Sequence, residues 1–95
     1  MYVGVMELHF AIIDNDSLKA KRSVIKRLMH RCRNTFNVSV AEVDDQDSSD
    51  RAVLGVVAVG SDKRYVQGLL DKVEGFVERQ ALAELLEAPK TVEVF

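Results

Sequence analysis

The sequence contains a single cysteine and no long apolar run, and each of these shortages excludes a class of protein. Cys32 has no second cysteine with which to form an internal disulfide, which is typical of a reducing cytoplasm. No apolar segment approaches the roughly 20 residues of a membrane-spanning helix. The first residues also lack the basic start and apolar core of a signal peptide. We therefore expect a soluble cytoplasmic protein with no membrane partner.

The chain also lacks a strong charge of either sign and the usual motifs of chemistry. Its 95 residues carry a formal net charge of −2 with a pI near 5.6, which gives no overall attraction to nucleic acid. No Cys/His cluster has metal-site spacing, no glycine-rich loop could bind phosphate, and no nucleophile–base pair is discernible. We predict one domain over residues 1–95 with no catalytic residues, no metal and no cofactor. A non-enzymatic role is favoured over the alternative of an enzyme whose site is assembled across subunits.

Hydrophobic residues that alternate with a period of two predict the strands. This alternation covers residues 2–13, 37–43 and 91–95. Residues 52–59 are instead a nearly continuous apolar run, which is typical of a central strand buried on both faces. The sequence therefore predicts four strands.

Two segments show the spacing of amphipathic helices. The first covers residues 18–34 and follows Ser17, whose hydroxyl is suited to an N-cap. The second covers residues 65–77, with Ser61 or Asp62 as its cap. The order is thus β-α-β-β-α-β.

The connecting segments agree with this order. Residues 14–16 break the first strand pattern, residues 44–50 form an acidic turn, and residues 80–89 are ambiguous up to Pro89. Two right-handed βαβ halves with this order form a ferredoxin-like sandwich. We predict an α+β fold with a four-stranded antiparallel sheet and two helices on one face.

The other face of that sheet is predicted to be open. It would include Val3, Val5, Glu7 and His9, together with one phase of the valine-rich third strand. A half-apolar open face on a small domain is usually covered by another copy or by a ligand. We predict a homodimer through this face.

The first helix is unusually basic. It carries seven of the thirteen Lys and Arg residues of the chain and no acid. Lys19, Arg22, Lys26 and Arg33 form a stripe on the helical wheel, with His30 beside it. Like charges at this spacing repel one another, and an anion such as RNA phosphate would offset that cost. We therefore place candidate nucleic-acid contacts at Lys19, Lys21, Arg22, Lys26 and Arg33.

A plainer interpretation remains open for each charged feature. The fifteen acids elsewhere in the chain could neutralise the basic helix from within the domain. The acidic turn lacks the glycine and the distal glutamate of a calcium loop, which favours a solvated turn. Cys32 is on the apolar side of the helix and is expected to be a buried, inert thiol. His9 beside Glu7 has no visible third group, which favours an exposed or interface histidine.

Three functions that use this chain plan are excluded by specific residues. The third strand, residues 52–59, has no aromatic on which an RNA-recognition motif could stack bases. The chain has no Cys-x-x-Cys, which a heavy-metal chaperone would need. The loop at residues 14–18 lacks the glycines and arginine of an acylphosphatase.

Three short runs resemble one known family. These runs are SLKAKR over residues 17–22, FNVSVAE over residues 36–42, and the pair Gln46-Asp47. They are similar to the YlxP-like family of small bacterial proteins, classed as a domain of unknown function. The resemblance spans essentially the whole chain and implies a ferredoxin-like fold without an established activity. Asp45 stands where the family commonly has an aromatic or a histidine.

Two functions follow from these observations as hypotheses. The first is a non-enzymatic protein that binds RNA or the ribosome through the basic helix. The resemblance supports it, because some members of the family are encoded among translation genes. The second is a dimeric module that binds a small molecule or assembles through the open sheet face.

Overall fold

The computed structural model describes residues 1–12 and 17–95. It contains five strands and two helices, which in chain order are β1 (Tyr2–Ala11), α1 (Leu18–Thr35), β2 (Ser39–Asp44), β3 (Arg51–Gly60), α2 (Lys63–Gln80), β4 (Glu84–Glu87) and β5 (Lys90–Val94). The predicted end of the first strand at Ile13 and the predicted break at residues 14–16 lie outside the described residues.

The strands form one antiparallel sheet in the order β2-β3-β1-β4, and β5 also pairs with β1. β5 pairs with Tyr2–Met6 of β1, whereas β4 pairs with His9–Ala11. Both strands thus occupy the same edge position, one beyond the other along β1. Between them the carbonyl of Pro89 accepts a hydrogen bond from the backbone N–H of Glu7 at 3.0 Å. The predicted fourth strand, residues 91–95, is present as β5. β4 is an additional strand within the ambiguous segment, and Pro89, which lacks the N–H of a regular ladder, lies between the two.

Both helices pack on the same face of the sheet and enclose the core. Alternate residues of the two central strands point into it, including Met6 and Leu8 of β1 and Leu54 and Val56 of β3. The helices contribute Ile25, Leu28, Val66, Leu70 and Val73. This arrangement confirms the predicted ferredoxin-like α+β fold.

The caps explain where the helices begin and end. The Ser17 hydroxyl accepts a hydrogen bond from the N–H of Ala20 at 3.2 Å, and the Asp62 carboxylate accepts one from Arg64 at 3.3 Å. At the other end of α2, Ala81 has the left-handed conformation with φ of 54°. No helix in the described part of the chain is long and apolar enough to cross a membrane.

The face of the sheet opposite the helices is uncovered in this chain. Val5, Val57 and Val59 are 43%, 42% and 55% exposed there, whereas Val53 on the same face is buried. The prediction that β3 is buried on both faces is therefore wrong for its second half. The helices cover only one face, so the other phase of the valine run points to solvent.

Candidate nucleic-acid interface

The exposed part of the basic helix is a compact surface on its N-terminal half. Lys19, Arg22, Lys26 and Arg27 are exposed and, with Ser23, line a shallow hollow of about 440 Å³. These four cations are called the basic face below. Lys19 and Lys26 are two helical turns apart, which corresponds to about 10 Å along the axis. Within residues 1–12 and 17–95, none of the four forms an ion pair with a carboxylate.

Lys21 lies in the interior instead of on this face. Its side chain is fully buried, and its Nζ donates to Glu42 Oε2 at 2.8 Å and to the carbonyl of Asp45 at 2.8 Å. The carbonyl of Gln46 is a third acceptor at 3.5 Å. The ammonium is thus satisfied inside the protein and is not available to phosphate. We therefore leave Lys21 out of the candidate interface.

The sequence carried a signal for this burial. Lys21 precedes Ile25, Leu28 and Cys32 by four, seven and eleven residues, which is the spacing of the apolar side of α1. A lysine in that phase is directed towards the sheet, where Glu42 of β2 meets it. The run SLKAKR therefore alternates between exposed and buried lysines, and only the helical phase distinguishes them.

Arg33 is also held by a contact within the chain. Its Nη2 donates to the carbonyl of Val40 at 2.6 Å. The side chain of Gln46 donates in the same way to the carbonyl of Glu42 at 3.3 Å. Both carbonyls belong to β2, an edge strand, and alternate residues of a strand point their carbonyls to the same side. Arg33 and Gln46 thus both bind the backbone of this edge strand.

The other cation near the end of α1 is engaged as well. Arg31 donates from Nη1 to Gln80 Oε1 at 2.7 Å, which ties α1 to the end of α2. The basic helix therefore divides into two parts. Lys21, Arg31 and Arg33 bind other groups of the chain, whereas the four cations of the basic face have no carboxylate partner among the described residues. Of the predicted contacts, Lys19, Arg22 and Lys26 lie on the basic face, to which the structure adds Arg27.

The cysteine and the histidine that the sequence singled out have only local contacts. Burial raises the pKa of the Cys32 thiol to about 11, against a smaller opposing effect of Arg33. Such a thiol is neutral and unreactive near neutral pH. His9 Nε2 lies 2.9 Å from Glu7 Oε1 on the open sheet face, and Nδ1 lies 3.9 Å from Glu87 Oε1. Among the described residues no group of three or more His, Cys, Asp or Glu side chains is placed to hold a metal ion.

Comparison with known proteins identifies the family. The family described as "Protein of unknown function (DUF503)" matches residues 3–89. The chain belongs to this family. It is also 38% identical over 76 residues to the uncharacterized protein YlxP of Bacillus subtilis, which covers 80% of this chain and 83% of that protein. The resemblance inferred from the three short runs is confirmed.

Solved structures support the fold of this DUF503 protein. A de novo designed protein with a ferredoxin fold aligns with a TM-score of 0.57 at 13% identity, covering 100% of this chain and 87% of that chain. A C-terminal segment of the alpha subunit of aIF2 from Pyrococcus abyssi aligns with a TM-score of 0.52 at 12% identity. That alignment covers 95% of this chain and 49% of the other. At these identities the similarity concerns the fold alone.

Proposed function

We propose that this DUF503 protein binds RNA, free or within the ribosome, through the phosphates that contact its basic face. The observation that carries the proposal is the exposure of Lys19, Arg22, Lys26 and Arg27 around one hollow. Within the described residues these cations have no carboxylate partner, whereas other cations of the same helix are held by internal contacts.

The repulsion within the basic face favours an anionic partner. Residues at i,i+3 and i,i+4 are neighbours on a helix, so Lys19 and Arg22, and Arg22 and Lys26, repel one another by a few tenths of a kcal/mol per pair. Phosphates that contact the face remove this repulsion and release their condensed counterions. RNA supplies several phosphates in a row, which fits cations spread over two helical turns.

The negative net charge of the chain does not oppose this proposal. Surface charges more than about 10 Å apart are largely screened at physiological salt, so the local charge decides the contact. Three acids of the chain already form ion pairs with other cations. Glu42 binds Lys21, and Asp71 and Glu74 bind Lys90. Contacts to phosphate position a protein on RNA without reading its sequence. The expected binding is therefore sensitive to salt and has little sequence preference.

Charge reversal tests the proposal directly. Lys19→Glu combined with Lys26→Glu is expected to abolish binding of labelled cellular RNA in a fluorescence anisotropy titration at low salt. Arg51→Glu combined with Arg79→Glu is the matched control, because it changes the net charge equally at exposed positions away from the basic face. Equal losses in both double variants would show that net charge alone matters and would contradict the proposal.

A second candidate function rests on the open sheet face. Val5, Val43, Val57 and Val59 are between 42% and 55% exposed on strands of that face. A contiguous apolar surface of this kind is typical of a protein–protein contact. Glu7, Glu87 and Glu93 border it, and acids in that position disfavour nucleic acid. The candidate is an assembly module in which a second copy covers the face and any small-molecule ligand binds at its rim.

A further inference from the structure

A second hollow lies between the end of α1 and the first turns of α2, away from the basic face. Its volume is about 390 Å³, and it is lined by Phe36, Arg64, Tyr65, Gly68, Leu69 and Lys72. Lys26 of the basic face and Phe36 are ten residues apart, which corresponds to about 15 Å along α1. The two hollows are therefore separate places on the helical layer of the protein.

Two aromatic rings form part of this hollow, and each lies close to a neighbouring residue. Phe36 packs edge-on against Phe76, with ring centroids 5.3 Å apart and an interplanar angle of 88°. Tyr65 is 57% exposed, yet one edge of its ring lies against Gly60. A methyl group at Gly60 would lie only 3.1 Å from Cδ2 of Tyr65. The tyrosine therefore presents an exposed ring, one edge of which lies close to the backbone of Gly60.

Two cations flank these rings. Arg64 and Lys72 are exposed, and in the part of the chain that the structure describes neither forms an ion pair with a carboxylate. The nearest acids along α2, Asp71 and Glu74, both bind Lys90. No acid lines the hollow within residues 1–12 and 17–95. Its charge therefore favours an anion.

Gly68 keeps the hollow open. Glycine is unfavourable inside a helix, and Gly68 lies well within α2. A methyl group at Gly68 would have no atom within 4 Å, so packing does not require a glycine at this position. Any larger side chain would instead project into the hollow. The space above Gly68 is the feature that a helix-stabilising residue would remove.

We infer that this hollow binds one unpaired nucleotide of RNA, with the base stacked on Tyr65 and its phosphate between Arg64 and Lys72. Every base has a flat face that stacks on an aromatic ring, and stacking tolerates any sequence. Neighbouring pairs cover the faces of bases in a duplex, so the hollow takes a single-stranded segment. The inference rests on the proposed function, because it adds a base contact to the phosphate contacts of the basic face.

The test compares variants of the hollow in one binding assay. The probe is a labelled single-stranded RNA of mixed sequence, about 12 nucleotides long, beside a duplex of the same sequence. Tyr65→Ala removes the ring, and Gly68→Gln fills the space. Tyr65→Phe keeps the ring, and Gly75→Gln replaces another glycine of α2 that lies outside the hollow. Thermal melting checks the fold, and Gly68→Gln is expected to melt at a higher temperature.

The expected result is a loss of about tenfold in single-strand affinity for Tyr65→Ala and for Gly68→Gln. Tyr65→Phe, Gly75→Gln and the duplex affinity of every variant should stay within about twofold of wild type. Single-strand binding unchanged in both hollow variants, but lost on reversing Lys19 and Lys26, would overturn the inference and leave the proposed function intact. Absence of RNA binding by the wild type would overturn both.

A free nucleotide also carries a base and a phosphate and is the other ligand that would fit this hollow. AMP added without RNA tests it by the change in tyrosine fluorescence. Weak AMP binding beside tight single-strand binding supports an RNA segment as the occupant. AMP binding as tight as that of the RNA strand would assign the hollow to a small nucleotide and overturn the inference.

Discussion

At the scale of single residues, Lys21 shows how one charge can be structural while its neighbours are exposed. Its ammonium joins α1 to the Glu42 carboxylate of β2 and to two carbonyls of the following turn. Removing one member of a buried pair leaves the other charge uncompensated, which costs more than the pair itself contributes. This lysine therefore fixes the acidic turn against the first helix.

Lys21→Met is expected to lower the free energy of unfolding by about 3 kcal/mol, because Glu42 then remains partly buried without a counter-charge. Urea denaturation measures the change. Lys19→Met, at an exposed position of the same turn, should change stability by less than about 0.5 kcal/mol. Equal stabilities of the two variants would show that the buried pair is not needed.

Cys32 provides a prediction about pH. Burial raises the pKa of its thiol from 9.0 to about 11. As the pH rises, the thiol of the unfolded chain ionises before that of the folded protein. The free energy of unfolding therefore falls between these two pKa values, and below both of them the ionisation of Cys32 does not change it. Urea midpoints of the wild type and Cys32→Ala should converge as the pH increases from about 8 to about 10.5. A constant difference between them would contradict the assignment.

At the scale of elements, the end of α2 is a strained point. Ala81 has a left-handed backbone with φ of 54° and is exposed. That conformation costs a residue with a Cβ roughly 1 kcal/mol, whereas glycine adopts it freely. Ala81→Gly should therefore raise the free energy of unfolding by about 0.5–1 kcal/mol. Gln67→Gly, at an exposed position inside the same helix, should lower the free energy of unfolding by a similar amount. Thermal melting distinguishes the two outcomes.

The elements also show which parts of the structure the sequence could predict. Period-two spacing predicts β1, β2 and β5, helical spacing predicts α1 and α2, and a continuous apolar run predicts β3, because each of these elements buries side chains against the core. The pattern does not predict β4, because residues 84–87 lie on an edge and bury only Leu85 in part. Edge strands bury fewer side chains than central strands, so their hydrophobic residues alternate less regularly and the sequence pattern predicts them poorly.

The candidate interface was predictable only in part. Lys19, Arg22 and Lys26 follow from helical phase, but Arg33 could be recognised as structural only once β2 was known to lie beside it. The hollow on α2 combines Phe36 with residues some thirty positions later, which spacing along one helix does not reveal. Contacts between elements distant in sequence are the information that local patterns lack.

At the scale of the whole molecule, the two candidate surfaces lie on opposite sides of the sheet. The basic face belongs to the helical layer, and the apolar valines belong to the open face. A dimer formed through the sheets would therefore leave both basic faces exposed on its outside. Two linked RNA-binding surfaces increase the effective affinity for a long strand without any new contact. The two proposed functions are thus compatible.

Sedimentation of wild type and Val57→Arg tests the assembly. Val57 is 42% exposed at the centre of the open face, so an arginine there should leave the fold intact. The wild type is expected to sediment with the mass of a dimer and the variant with that of a monomer, because a charge in an apolar interface is costly. A wild type that stays monomeric at high concentration would contradict a second copy as the partner.

Phosphate binding by the basic face is decided by how RNA affinity depends on salt in Lys26→Gln compared with the wild type. If Lys26 contacts a phosphate, removing its charge should reduce the slope of log affinity against log salt concentration by about 0.7. Arg79→Gln, away from the basic face, should leave the slope at the wild-type value. Identical slopes for wild type and both variants would contradict phosphate binding by the basic face.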